Sequence, residues 1–382
     1  MDIERAYQAL SERYMNGDVE RRTFLGLIGR AALAAGVTGT AMLPFARHAL
    51  AAQSIHFEGF GGVAQEALGK NVMKPFSAAT GIVVNEGSFT TEDELMAKVK
   101  AGSPGEYNFF MSASEFACLR FLRLGQGMEL DETKIPRLKE LMPRSVEAYR
   151  KLWNGKLSAV PYSLSGIWVG YNHEKIEPTQ VEAEGTRILL NPKYKGATTG
   201  EDRWLSRIWY AALQTGQDPN NIQNMDAIWE SIRESRKIVF KYYSSGAEQM
   251  QLFANGDAIL GDAWFVRIYN LKKQGIPVQG WPRQGVYVTF SSLMALKDCP
   301  LDPFYQIIDI LLRPEVLTAV AIDLGNAPLL DPTLHPMPKE VQDIPGFDPT
   351  GKLEGYRTID PVYWTANADA WQRQYKRVMT QG

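Results

Sequence analysis

From Ser54 onward, short apolar runs alternate with amphipathic stretches, and the two periodicities predict strands alternating with helices. Ser54-Ile-His-Phe-Glu-Gly-Phe60 reads as a first strand, broken by Gly59, Gly61 and Gly62 in a tight turn. Leu68, Val72, Phe76 and Ala79 then recur at helical spacing, with Gly81 as a stop, and Ile82–Val84 follows as a second strand. Thr91 and Glu94 form a capping box for the next helix, which Glu94 and Lys98 brace and Gly102 ends. Glu92, Asp93 and Glu94 read as first-turn acids favoured by the helix dipole. Tyr107–Met111 is a third apolar run, closing on Ser112-Ala113-Ser114, a natural helix N-cap. Such alternation predicts βαβ units and a mainly parallel sheet.

The longest extended stretch is Val160–Asn172, aromatic and β-branched, with Gly166 and Gly170 inside it. Glycine weakens a strand interior, so two of them predict a bend or a close backbone approach. The stretch is either one more buried strand or a strand that crosses between two compact halves.

The N-terminus reads differently. Glu20-Arg21-Arg22-Thr23-Phe24-Leu25 resembles the twin-arginine export motif, and a short apolar stretch (Ala31–Phe45), Arg47 and Ala49-Leu50-Ala51 follow it. Charged segment, short apolar segment and small-residue cleavage site make a signal peptide of residues 1–51, delivered to the Tat translocon through Arg21 and Arg22. The alternative is an amphipathic N-terminal helix or an uncleaved anchor. No later run is long and apolar enough to span a bilayer, so the expected product is a periplasmic protein.

Composition narrows the function. The chain has 382 residues, 45% hydrophobic and 22% charged, enough to build a core without metal or disulfide staples. A net charge of −2 offers no footprint for nucleic acid. Cys118 and Cys299 either pair or stay as two separate buried thiols. His56, His173 and His335 are widely separated, and no nucleotide, nucleophile or metal motif appears, so neither catalysis nor a cofactor is expected.

The order of motifs over most of the chain resembles the periplasmic solute-binding proteins of ABC transporters, in particular the spermidine/putrescine-binding proteins. The resemblance is carried by the strand-Gly-Gly-helix start and by Pro75–Val84, Glu94–Gly102, Leu130–Leu138, Pro161–Asn172, Tyr194–Gly196, Gly216–Asn221, Phe253–Asp257, Gly280–Gly285, Leu311–Glu315 and Gly325–Pro328, and a Trp-rich C-terminal helix completes it. It implies an α/β, two-lobed periplasmic-binding-protein fold of the type II kind, each lobe a mainly parallel sheet flanked by helices, with a ligand cleft at the hinge. Lobe 1 would comprise 52–165 plus 289–332 and lobe 2 would comprise 166–288 plus 333–382, with crossings at Val160–Asn172 and near Thr289–Ser292.

The same resemblance implies a monomer that captures a small polar solute, a polyamine or another small amine or zwitterion, and presents it to an ABC permease. Phe60 and Trp264 align with cleft aromatics, which suit an alkyl-ammonium ligand. Gly61 and Gly62 line the lobe 1 turn, and Ser112 and Ser114 either cap their helix or face the cleft. Glu201 and Asp202 fall where the family carries an amine-binding acidic pair, although Asp202 equally suits an N-cap. Thr289 and Ser291 stand where the family has a tryptophan and an ammonium-pairing aspartate. The loss of that carboxylate points away from long polyamines, toward a singly charged or zwitterionic amine, or a small anion if Arg203 or Arg267 turns inward. Tyr242-Tyr243 raises a ferric-ion alternative, with core packing as the simpler account of the pair.

Overall fold

The computed structural model describes residues 54–281 and 287–380. The expected signal segment, its cleavage site and the Arg21-Arg22 pair lie outside the described residues.

Strand β1 (Ser54–Gly59) leads through a glycine turn into α1 (Gly62–Leu68), a π-helical turn (Gly69–Met73) and α2 (Lys74–Thr80). Leu68, Val72 and Phe76 are buried as their spacing requires, whereas Ala79 is exposed. Gly81 ends the run in the left-handed conformation that a Cβ disfavours. Strand β2 runs Val83–Ser88, later and longer than the apolar triplet beginning at Ile82 indicates. In α3 (Glu92–Ala101) the Thr91 side chain accepts from the Glu94 N–H. Glu94 returns its carboxylate to the Thr90 N–H, one residue earlier than a strict capping box. After β3 (Phe109–Ser112), Ser114 caps α4 (Glu115–Arg123) through the Ala117 N–H.

Helix α5 (Pro143–Leu152) packs on β4 (Ala159–Asn172), on which the sheet turns. Residues 159–166 of β4 pair antiparallel with β9 (Tyr287–Ala295). Its residues 167–172 pair instead with β7 (Leu260–Trp264) and β8 (Val278–Trp281). Both interior glycines are packing requirements: a Cβ on Gly166 would sit 2.4 Å from Phe265 Cζ, and one on Gly170 2.6 Å from Ala263 Cβ. Between β4 and β7 lie α6 (Pro178–Glu184), β5 (Thr198–Glu201), α7 (Trp204–Gln214), α8 (Met225–Ile238), β6 (Val239–Tyr243) and α9 (Gly246–Asn255). Helix α10 (Phe265–Lys273) follows β7 directly.

The strand order is β2-β1-β3-β9-β4-β7-β5-β6. Pairings within the two ends are parallel (β1 with β3, β5 with β6 and β7), β4 pairs antiparallel with β7, β8 and β9, and β9 pairs antiparallel with β3 but parallel with the short strand Arg357–Thr358. The sheet is therefore mixed, because strands that return across a junction run against the βαβ strands on either side.

Two main apolar cores flank the junction. The first gathers Phe57, Phe76, Phe109, Phe110 and Phe121 with α11 (Leu301–Leu311) and α12 (Pro314–Leu324). It also takes Met337, Val341, Ile344 and Leu353 from the segment after Pro328. The second gathers Ile167, Val169, Trp209 and Ile232 with Trp364, Trp371 and Tyr375 of the C-terminal helix α13 (Pro361–Thr380). Trp168 and Trp264 pack against both cores. Cys118 and Cys299 are separate buried thiols, the first 3.6 Å from the Ser292 hydroxyl.

Candidate functional site

Strands β5, β6 and β7 run parallel, so their C-terminal ends (Glu201, Tyr243 and Trp264) come to one edge of the sheet. The helices that start next, α7, α9 and α10, place their N-termini there as well. In α/β folds this edge is where ligands bind, because backbone N–H groups and helix dipoles converge on it.

A buried ion pair fixes the edge from beneath. Asp262, fully buried in β7, pairs with Arg207 of α7. Its Oδ1 also accepts from the Glu201 N–H at 3.0 Å and the Tyr243 hydroxyl at 3.1 Å. A charge held so deep persists only when paired and hydrogen-bonded, and these bonds tie β5 and β6 to β7.

Glu201 is half-buried at this edge. Its Oε1 accepts from the Trp264 indole N–H at 3.2 Å and its Oε2 from the Ser206 hydroxyl at 2.5 Å. Both donors are neutral, and among the described residues no cation forms an ion pair with this carboxylate. Trp264 stands edge-on to Tyr287, with ring centroids 6.0 Å apart. Burial pushes the Tyr287 hydroxyl up from its usual pKa, with the Glu201 charge adding to the effect, so it stays a neutral donor.

Asp202 takes a different place. It is exposed, does not cap α7, and accepts from the Tyr375 hydroxyl of α13 at 2.7 Å. The N-cap reading is corrected here: Arg203 occupies that position without a side-chain cap, and Asp202 anchors the C-terminal helix instead. Glu92 does stand in the first turn of α3 as expected. It is more than a dipole-favoured acid, being buried and ion-paired with Arg203 at 3.3 Å across the two cores. Burial pulls the Arg203 guanidinium down, but Glu92 and then Glu201 outweigh it and raise its pKa.

On the first core's side, Phe60 is half-buried against Phe89, with ring centroids 4.5 Å apart, and no ring contact joins it to Trp264. Gly61 and Gly62 adopt φ of 70° and 55°, a conformation that favours glycine. The Gly61 N–H donates to Gln65 Oε1 at 3.1 Å, while Gly62 has open space where a side chain would stand. Ser112 donates to the Ser114 carbonyl at 2.9 Å, and the Ser114 hydroxyl serves as the cap of α4, so the helix start uses both. Thr289 and Ser291 lie in β9 opposite Ser165 and Ser163 of β4. The buried Thr289 hydroxyl has no partner among the described residues.

The structure thus brings Glu201 and Trp264 into contact and sets Asp202, Ser112 and Ser114 to structural bonds. Sequence reasoning missed Ser206, Arg207, Asp262 and Tyr287. One signal was available: Asp262 interrupts the apolar run of β7, and an acid inside a buried strand demands a paired cation. Tyr242 and Tyr243 take separate partners, Ser235 and Asp262, so their hydroxyls do not converge as a metal pair. Among the described residues no group of three or more His, Cys, Asp or Glu is placed to hold a metal ion. A surface depression of about 330 Å³ between Ile135 and Arg150 contains none of the candidate residues. No described helix is long and apolar enough to cross a membrane.

This fold is shared with known proteins. The putrescine-binding periplasmic protein PotF of Escherichia coli is 24% identical over 321 residues, covering 78% of this chain and 86% of that protein. A putative spermidine/putrescine ABC transporter structure from Listeria monocytogenes superposes with a TM-score of 0.72 at 15% identity, covering 86% of this chain and all of that one. A structure described as a GABA receptor superposes with a TM-score of 0.70 at 20% identity, covering 86% of this chain and 98% of that one. The profile described as "Bacterial extracellular solute-binding protein" matches residues 71–347. With that match running through both cores and the parallel strands of the site, the chain belongs to the family of bacterial extracellular solute-binding proteins.

Proposed function

We propose that the protein is the periplasmic solute-binding subunit of an ABC importer, and that its solute is a small molecule carrying at least one ammonium group. The observation that carries the ligand class is the Glu201 carboxylate, held by two neutral donors, ion-paired by no cation among the described residues, and flanked by the Trp264 ring. An ammonium group satisfies both: it donates a charge-assisted hydrogen bond to the carboxylate and lies against an electron-rich aromatic face. Relatives named for putrescine and spermidine support the amine, and one named for GABA supports a zwitterion.

The cleft lies between two lobes whose interiors are the two apolar cores, and the segment 333–353 goes with the first of them. Phe60, Gly61 and Gly62 face the ligand from the first lobe, and Thr289 and Ser291 line the hinge between the lobes. Closure traps the solute, and the closed form is what a permease recognises, so the two forms differ in affinity for it. The protein performs no chemistry on its cargo. It reaches the periplasm through the Tat pathway, directed by Arg21 and Arg22, and acts there as a monomer.

Melting temperature against a panel of putrescine, spermidine, choline, betaine, amino acids, inorganic anions and ferric iron tests the reading. A ligand at a hundred times its Kd adds about 2.7 kcal/mol, which raises Tm by roughly 2 °C or more in a chain of this size. The expected outcome is a shift with one or more amines that Glu201→Gln abolishes. Shifts confined to inorganic anions or ferric iron would reject an amine ligand.

A further inference from the structure

The edge that holds Glu201 also holds an arginine with no charge to answer it. Arg267 lies in the first turn of α10, three residues after Trp264. Its guanidinium lies over Gly246 at the start of α9, so closely that a Cβ there would fall 2.2 Å from Nη2. Among the described residues it makes no hydrogen bond or ion pair. It is half-buried, and burial holds its pKa below the usual arginine value, with Tyr243 and Glu201 pulling the other way. Glu201 is thus close enough to feel this cation but does not pair with it. By contrast, Arg203 is engaged by Glu92, and Arg207 by Asp262.

A half-buried guanidinium that no described protein group answers keeps its planar fork of donors free, and that fork matches a carboxylate in two-pronged geometry. The start of α9 adds the positive end of a helix dipole on the same side. We infer that Arg267 is the carboxylate subsite of the cleft, so that the solute is an amino-carboxylate zwitterion with its ammonium group on Glu201 and its carboxylate on Arg267. A diamine places a second cation against Arg267 and is repelled. This inference rests on the amine site proposed for Glu201 and adds to it a specificity-determining residue and a narrower ligand class.

Calorimetric titration of the wild type, Arg267→Gln, Arg267→Lys and Glu201→Gln separates the two. The probes are straight-chain ω-amino acids of three to six carbons and the diamines of matching length. In the wild type, at least one amino acid is expected to bind tenfold or more tighter than its matching diamine. Arg267→Gln should weaken that amino acid by about tenfold or more, since a charge-assisted pair is lost. The same change should leave diamine binding unchanged or improved, and Arg267→Lys should restore part of the loss. Equal losses for both ligand types, no loss for the amino acid, or a wild-type preference for the diamine would overturn the carboxylate subsite while leaving the amine site in place. If Glu201→Gln changes neither ligand type, or nothing in the series binds, the amine site itself falls and takes this inference with it.

Discussion

At the residue scale, Glu115 stands out as a buried carboxyl with an unusual titration. It opens α4 and accepts from the Phe290 N–H at 3.4 Å. Burial pushes its pKa from 4.5 to about 7, against the lowering pull of its own and Phe290's N–H groups and of Arg144. The folded chain therefore holds this proton more tightly than the unfolded chain does. Its stabilising contribution is complete below about 4.5 and is lost as pH rises through 7. At about 1.4 kcal/mol per unit, the loss is on the order of 3 kcal/mol. Glu115→Gln keeps the acceptor and removes the ionisation, so the variant should melt higher than the wild type near pH 8 and match it near pH 4. A Tm difference that stays constant over that range would show that Glu115 does not titrate as buried.

At the element scale, two helix starts meet across the cores. Helix α3 packs into the first core through Leu95 and α7 into the second through Leu205 and Ile208, and the Glu92–Arg203 pair spans them. Phe116 of α4 joins the second core, its ring 6.1 Å from that of Trp204. On the proposed two-lobe reading an open arrangement would separate these partners, so the pair would favour closure. An ion pair between a half-buried guanidinium and a buried carboxylate is worth roughly 1 kcal/mol, or about a fivefold change in a closing equilibrium. Glu92→Gln should accordingly weaken solute binding severalfold and enlarge the radius of gyration of the ligand-free protein in small-angle scattering. Unchanged affinity and unchanged dimensions would remove the pair from the closing equilibrium.

For the whole molecule, export and binding make separate demands on one chain. On the proposed Tat route the protein would cross the membrane folded, with the pair Arg21-Arg22 as its addressing feature. Replacing both by lysine keeps the charge and should leave the protein in the cytoplasm, with its solute affinity intact, when cell fractions are compared. Normal periplasmic recovery of that variant would exclude Tat.

Much of the fold was legible because it depends on near neighbours. The Thr91 and Ser114 caps, the Gly81 stop and the Glu94–Lys98 brace at 3.4 Å each involve residues within four positions of one another. The two glycines of β4 pointed to a bend or a close backbone approach, and what the structure puts against them is the side chains of Phe265 and Ala263. The site was less legible, because its partners are distant in sequence and met only on folding. Asp202 pairs with Tyr375, 173 residues on, and Glu92 with Arg203, 111 residues on. Trp264 finds Glu201 because β5 and β7 are parallel neighbours ending at one edge. Local sequence determined where strands and helices begin and end, through backbone preferences and the spacing of apolar side chains. Only the tertiary structure decided which charges are paired and which are left for a ligand, since that depends on the distance and burial of groups the chain order keeps apart.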